Sequence, residues 1–316
     1  MGRLTSATLS LDYFITIAQI GFGGSSNVYK AWHKRLEKHV AIKELRHTAM
    51  ADIDLMRNEI EALKRIKNLQ VPQVFDFQIK GNRSYTILEF IEGESFDKLL
   101  VCGGSFSEDQ VKKWYKQLAL ILKAIHNQSV FHRDIKPANI ILTPTDDVVL
   151  IDFNTALVDG NALQITSRSK GYASPEQDET FQWYKDIHQA QQASKQSCSL
   201  SQYLSVCRIE NTEMQQYTDN NSTELTDAAF NDHVSSETNK KQPVDWCRAD
   251  IYSLGATIYH LLTGKRPPKR TPEFSTIGDM GDFSNELKYV IEKSMEYDPT
   301  KRYASAEQII DALNFN

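Results

Sequence analysis

His132-Arg133-Asp134-Ile135-Lys136-Pro137-Ala138-Asn139, followed by Asp152-Phe153-Asn154, sets two carboxylates, an amide and a lysine within one stretch of chain. That set suits phosphoryl transfer. Asp134 can accept a hydrogen bond from an attacking hydroxyl and orient it. Asn139 and Asp152 offer hard oxygens to Mg²⁺, an ion that keeps some of its waters and bridges phosphates. Lys136 can neutralise charge on the group being moved. A polar loop with ordinary surface charges would not need His-Arg-Asp, Lys, Pro and Asn in this register.

Two features upstream fit the same chemistry. Gly21-Phe22-Gly23-Gly24-Ser25-Ser26-Asn27-Val28 approximates G-x-G-x-x-G-x-V. A glycine cluster alone marks many turns. Here it lies between two strand-like runs, whereas a dinucleotide fingerprint would open a helix. Backbone amides of such a loop can lie over phosphates without side-chain obstruction. Lys43 ends Val40-Ala41-Ile42-Lys43, and Glu59 lies on the helix that follows. A Lys43–Glu59 ion pair would hold the ammonium toward the α- and β-phosphates. Taken alone, Glu59 or its neighbour Glu61 would simply face solvent. A Walker loop is absent, because Gly264-Lys265 is followed by Arg266.

The elements that must position these residues follow from periodicity. Strands are predicted at Phe14 to Gln19, Val28 to Ala31, Val40 to Lys43, Val74 to Phe77 and Tyr85 to Ile91, with a turn at Gly81-Asn82. Ile53, Met56, Ile60, Leu63 and Ile66 recur at helical spacing, predicting an amphipathic helix over Asp52 to Leu69. Ser107-Glu108-Asp109-Gln110 is a capping-box start for a helix to about Asn127. Val130 to Leu142 is loop-like, and Val148 to Phe153 is predicted as a buried strand. Arg248 to Leu262, ending at Gly264, Asn285 to Met295 and Ala306 to Leu313 are predicted helices. From about Asp178 to Val244 the chain is rich in Gln, Ser, Asn and Thr with little apolar periodicity, which predicts a polar insertion, partly disordered or weakly helical, rather than a core element.

Bulk properties narrow the class. With 316 residues, 41% hydrophobic and 24% charged, the chain can bury a sizeable core, which excludes a disordered chain, a collagen or a small disulfide scaffold. The net charge of −5 gives no basic field for nucleic acid. Cys102, Cys198, Cys207 and Cys247 show no CxxC pair or zinc spacing, so reduced thiols are expected. No apolar run approaches the roughly 20 residues needed to span a bilayer, and no secretory signal is recognisable. Met1-Gly2 with Ser6 fits only the permissive myristoylation pattern. The expected location is the cytoplasm.

Together these motifs resemble the protein kinase superfamily, in its eukaryotic-like, bacterial-type serine/threonine branch. The resemblance covers about residues 12 to 176 and 245 to 313, and adds Ala173-Ser174-Pro175-Glu176 and Asp250-Ile251-Tyr252-Ser253-Leu254-Gly255 to the motifs above. It implies an α+β fold of two lobes: a β-rich N-lobe over 1–92 and a mainly helical C-lobe over 93–316, with the insertion at about 178–244. It implies ATP as donor and Mg²⁺, or Mn²⁺, as metal. Gly21, Phe22 and Gly23 would cover the phosphates. Val28, Ala41 and Ile141 would sandwich the adenine, with Leu88 as gatekeeper. The Glu89 carbonyl and Ile91 amide would pair with the adenine edge. Asp134 would be the catalytic base, Lys136 its phosphate-neutralising partner, Lys43 and Glu59 the ion pair, and Asn139 and Asp152 the metal ligands. Leu63, His132 and Phe153 would stack into an apolar column. Glu176 would pair with Arg302, and Asp250 would accept from the backbone at His132 and Arg133. Lys136 and Ser169 imply a protein Ser or Thr hydroxyl as acceptor. Arg133 would receive a phosphate from autophosphorylation at Thr166 or Ser167.

Three positions depart from that pattern. Asn154 replaces the Gly of D-F-G, and Asn is the next most tolerant residue of the left-handed backbone region. Ser26 replaces the third loop glycine, and Arg168 stands where a Gly often precedes the Ser/Thr. None removes Lys43, Glu59, Asp134, Asn139 or Asp152. The expected activity is therefore phosphorylation of proteins in signalling. The alternatives are a pseudokinase scaffold that binds nucleotide without transfer and a small-molecule phosphotransferase. Within the insertion, Phe181, Trp183 and Tyr184 are the candidate contact residues. Substrates, activating signal and oligomeric state stay open.

Overall fold

The computed structural model describes residues 13–22, 26–46, 50–67, 70–81, 83–159, 168–183, 185–186, 244–268, 271 and 280–314. The chain opens with strands β1 (Phe14–Phe22), β2 (Ser26–His33) and β3 (Lys38–Arg46), then helix α1 (Met50–Arg65), then β4 (Val74–Lys80) and β5 (Arg83–Glu89). These strands form one antiparallel sheet in the order β1-β2-β3-β5-β4. β1 runs three residues beyond the expected Gln19. It pairs Gly21 with Val28 and Phe22 with Asn27, so the described ends of the glycine cluster lie on two adjacent antiparallel strands.

Register then decides which side chains share a face. Val28 stands opposite Lys43, Lys43 opposite Thr86, and Ala41 opposite Leu88. Directly paired residues project to the same side, and successive residues alternate. Val28, Ala41, Lys43, Thr86 and Leu88 therefore line one face. The other face carries Ala31, Val40, Ile42, Tyr85 and Ile87, which are buried together. Glu44 is buried there too, where Arg83 Nη1 (2.5 Å), Tyr29 Oη (3.2 Å), Asn27 Nδ2 (3.3 Å) and Tyr85 Oη (3.3 Å) donate to its carboxylate. Burial alone would raise that carboxyl's pKa, but these donors hold it below its usual value.

The second half is mainly helical: β6 (Glu94–Ser95), α2 (Phe96–Gly103), α3 (Glu108–His126), β7 (Val130–Phe131), β8 (Ile140–Leu142), β9 (Val148–Leu150), β10 (Leu157–Val158), α4 (175–183), α5 (Trp246–Thr263), α6 (Asn285–Ser294) and α7 (Ala306–Asn314). The capping box at Ser107 and Gln110 forms as expected. α5 is buried almost all round, and Gly264 ends it in the left-handed conformation. Gly255 on α5 lets α6 approach closely, since a Cβ there would sit 2.8 Å from Ser294 Cβ.

Several expectations need correcting. α1 stops at Arg65 rather than Leu69. β5 stops at Glu89 rather than Ile91. β9 stops at Leu150 rather than Phe153, because Asp152 takes a φ of 66° that no extended strand allows. α2 was not expected from the sequence. It has no side-chain cap at Ser95 and forms by burying Phe96 and Leu100, one helical turn apart. α4 carries the chain through Asp178 to Trp183, so the start of the polar stretch is helical. Its signals were present, with Ser174 as cap, Pro175 in the first turn and Gln177 completing S-x-x-Q. The rest of the stretch to residue 243, Tyr184 included, lies outside the described residues apart from 185 and 186, as do Gly23, Thr166, Ser167, Cys198 and Cys207. Cys102 and Cys247 are free.

Gly93 joins the sheet to the helical half at a φ of 138°. A Cβ there would meet the Leu142 carbonyl oxygen and, at 2.9 Å, Ile141 Cγ2. Gly81 also has positive φ (59°), yet an added Cβ meets nothing within 4 Å. Gly81→Ala should cost only the left-handed backbone term, about 1–2 kcal/mol. Gly93→Ala adds a collision with β8 and should lower the melting midpoint clearly further. Thermal unfolding of the two variants side by side checks that order.

Candidate active site

Three parts of the chain converge on Lys43. Its ammonium donates to Glu59 Oε1 on α1, to Asp152 Oδ1 and to Asn154 Oδ1, each at 2.7 Å. Lys43 and Glu59 are buried, and Asp152 is one-third exposed. Burial works to depress the Lys43 pKa, but the Asp152 and Glu59 carboxylates outweigh it and raise it. Burial raises the Asp152 pKa as well, yet Lys43 overcomes that and holds it below the usual carboxylate range. For Glu59 burial wins and its pKa is raised. Both carboxylates, each 2.7 Å from Nζ, thus keep the buried ammonium charged.

The Asn154 contact was not foreseen. Asn in place of Gly suggested a residue tolerant of positive φ. Asn154 is not among the positive-φ residues, whereas Asp152 (66°) and Arg133 (67°) are. The side chain at 154, not its backbone, is what the structure uses.

The loop after β7 forms the second cluster. Lys136 Nζ donates to Asp134 Oδ2 (2.7 Å) and to Ser169 Oγ (2.9 Å), and Ser169 Oγ donates to Asp134 Oδ1 (2.6 Å). Asn139 Nδ2 donates to the Asp134 carbonyl (2.8 Å) and Oδ2 (3.1 Å). Both amide hydrogens of Asn139 are thereby turned toward Asp134, which leaves Asn139 Oδ1 available as a hard oxygen. Asp152 likewise has Oδ2 free of Lys43. Two hard oxygens from two chain segments fit a Mg²⁺ whose other ligands are phosphate oxygens and water.

A buried frame holds this loop. Asp250 on α5 is fully buried. Its Oδ1 accepts from Arg133 N (2.7 Å), and its Oδ2 accepts from His132 N (2.8 Å) and His126 Nε2 (3.0 Å). His132 Nε2 donates to the Ile151 carbonyl (3.0 Å), and its ring meets Phe153 edge to face at 4.6 Å. Leu63 and Phe153 belong to one core cluster, and His132 is buried against Phe153. The Arg133 guanidinium lies 4.6 Å over the Trp246 ring, a contact with no sequence signal. Glu176 and Arg302 form a bidentate pair (2.7 and 2.9 Å), with Arg302 3% exposed. Asn58 on α1 donates to the Ala156 carbonyl, and Arg65 donates to Asp159 (2.6 Å), tying α1 to the chain beyond Asp152.

The remaining expected positions are placed as follows. Val28, Ala41, Leu88 and Ile141 are half-buried, and the first three share the sheet face of Lys43. Glu89 N donates to the Gln73 carbonyl (2.8 Å), and Ile91 follows β5 outside regular secondary structure. Gly21 sits at the end of β1, in contact range of Val28. Phe22 is placed by its backbone in β1. Two grooves of about 620 and 560 Å³ flank the segment from Arg168 to Tyr172. The smaller is lined by Lys136, Ser169 and Lys170 from the site and by Tyr172, His260 and Arg266.

Comparison with known proteins points to one family. The protein kinase domain family matches residues 14–179, just over half of the chain. A probable serine/threonine-protein kinase of Clostridium acetobutylicum is 27% identical over 311 residues, 94% of this chain and 38% of that protein. Serine/threonine-protein kinase B of Synechocystis is 29% identical over 269 residues, 82% of this chain and 38% of that protein. Serine/threonine-protein kinase D of Synechocystis is 25% identical over 330 aligned positions, 96% of this chain and 52% of that protein. The chain thus spans about two-fifths to one-half of the length of these relatives. Among the described residues no helix is long and apolar enough to cross a membrane.

The anchor under the loop has a pH signature. Burial tends to lower the His126 pKa, but Asp250 and then Cys247 Sγ (3.3 Å from Nδ1) raise it to about 9. The unfolded value is near 6.5. A raised folded pKa contributes stability that is full below pH 6.5 and lost as pH climbs through 9. The melting midpoint should therefore fall between those limits. His126→Gln, which keeps a donor without the charge, should flatten that part of the profile.

Proposed function

This chain belongs to the protein kinase family, and from that membership we propose that it transfers the γ-phosphoryl group of ATP to serine or threonine hydroxyls of proteins. The observation that carries this reading is the treatment of Asp134. Both its carboxylate oxygens are held, one by Lys136 and one by Ser169, at 2.7 and 2.6 Å. A carboxylate fixed this way is aimed to accept a hydrogen bond from an incoming hydroxyl, and Lys136 brings a positive charge beside it.

The other assignments are part of the same proposal. Lys43, backed by Glu59, would hold the α- and β-phosphates. Val28, Ala41 and Ile141 would pack the adenine, with the Glu89 carbonyl and Ile91 amide at its edge. Gly21, Phe22 and Gly23 would close over the phosphates. Asp152 and Asn139 would hold Mg²⁺ or Mn²⁺, which when bound supplies charge neutralisation at the phosphates. The protein's share of catalysis is positioning and electrostatics. The lobes would divide near Gly93, into 1–92 and 93–316. The grooves beside Ser169 are the natural surface for a protein substrate. Arg133, Thr166 and Ser167 remain our candidates for control by autophosphorylation, with Trp246 sharing the guanidinium. A cytoplasmic location goes with this reading, since ATP is there and the described cysteines are free thiols.

The test uses labelled ATP, Mg²⁺ and a generic protein substrate. Wild type should label the protein. Asp134→Asn should retain nucleotide binding and lose transfer by about 100-fold or more, the usual weight of a general base. Nucleotide binding without transfer in either protein would overturn the proposal in favour of a scaffold. Transfer only to small metabolites would move it to a small-molecule phosphotransferase.

A further inference from the structure

An ammonium group has three N–H donors. On Lys43 all three have acceptors at 2.7 Å: Glu59 Oε1, Asp152 Oδ1 and Asn154 Oδ1. No donor is left over for a phosphate oxygen. The three acceptors are unequal. Two are carboxylates, and bonds to ionised acceptors are roughly twice as strong as neutral ones. The third is a neutral amide oxygen, and it is the bond that yields first.

The placement of Asn154 supports a specific contact. Its neighbour Phe153 is fully buried, and Ala156 N donates to the Phe153 carbonyl (3.0 Å) to close the turn around 154 and 155. The backbone at 154 is therefore fixed from both sides, and it does not need positive φ. What the residue contributes there is a carboxamide reaching the ammonium. A glycine would leave one N–H of Lys43 for water or ligand.

We propose that Asn154 is a built-in occupant of the phosphate position on Lys43. It is a positioning residue. Without nucleotide it completes the shell of the buried ammonium and helps keep Lys43, Glu59 and Asp152 together. Nucleotide binding must then displace its amide oxygen from the third N–H. This inference rests on the reading of Lys43 as the phosphate-holding lysine.

The experiment compares the full chain with its Asn154→Ala variant. Mg²⁺-free ADP and adenosine are titrated into each and followed by calorimetry. Adenosine lacks the phosphates, so competition at Lys43 cannot affect it. ADP should bind Asn154→Ala about fivefold more tightly than wild type, the weight of one neutral hydrogen bond. Adenosine affinity should be unchanged, and the nucleotide-free variant should melt below wild type. ADP affinity unchanged or weaker, or ADP and adenosine shifted alike, would overturn the inference. Absence of ADP binding to wild type would overturn the nucleotide reading and this inference together. ADP binding to wild type with no gain in the variant overturns this inference alone. Should Asn154→Ala not fold, Asn154→Gly carries the same measurement.

Discussion

A lysine ammonium taken out of water costs several kcal/mol unless opposite charge and hydrogen bonds replace the lost hydration. Lys43 meets that cost with partners from distant chain: Glu59 lies 16 residues on, and Asp152 and Asn154 lie 109 and 111 residues on. Satisfying the cation therefore requires the sheet, α1 and the segment after β9 to be in place at once. The register of β3 turns Lys43 to the face it shares with Val28, Ala41 and Leu88. One buried charge thereby defines both where a nucleotide would sit and which elements must surround it.

Asp250 does the reciprocal job with the opposite sign. Fully buried on α5, it gathers two backbone amides and one imidazole. The backbone pays for this with Arg133 at a φ of 67°, while Lys43 is associated with Asp152 at 66°. Non-glycine residues in sparsely populated regions cost on the order of 1–3 kcal/mol each and persist only where surroundings over-determine them. These two residues are each clamped by a buried ionic partner: Arg133 through its amide on Asp250, Asp152 through its carboxylate on Lys43. The residues bearing Asp134, Asn139 and Asp152 are thus fixed by strain opposed by charge.

Much of this was legible in the sequence because the residues concerned are defined by chemistry and spacing. Lys43, Glu59, Asp134, Lys136, Asp152, Ser169 and Asp250 were each singled out, and the structure brings Lys43 to Glu59, Ser169 to Asp134 and Asp250 to the backbone of His132 and Arg133. The strongly periodic helices and the five strands of the sheet were also foreseen. α2 was missed because eight residues are too few to display a period, and its driving force is tertiary burial of Phe96 and Leu100. α4 was read only as the edge of a partly disordered or weakly helical stretch, because polar composition after Asp178 outweighed a valid cap at Ser174. The contact of Arg133 with Trp246 and the four donors on Glu44 depend on pairs far apart in sequence, and no local pattern announces them. At Asn154 the residue was judged by its backbone tolerance, while its function in the fold is a side-chain bond.

The packing explains why such bonds matter more here than area does. The sheet's buried residues Ala31, Val40, Ile42, Tyr85 and Ile87 form their own cluster. Ala62, Leu63 and Ile66, from the end of α1 and the residue after it, belong instead to the large cluster that holds Phe153, Trp114 and α5. By apolar contact, the end of α1 sides with the helical half; by Lys43–Glu59 it is joined to the sheet. Apolar burial is non-directional and proportional to area, so it fixes that end of α1 against the helical half without specifying its distance from β3. A 2.7 Å hydrogen bond is short-ranged and directional, and does specify it. Val74 and Leu88 bring the sheet into apolar contact with that cluster, and Lys43–Glu59 adds the directional bond that fixes the distance between β3 and α1.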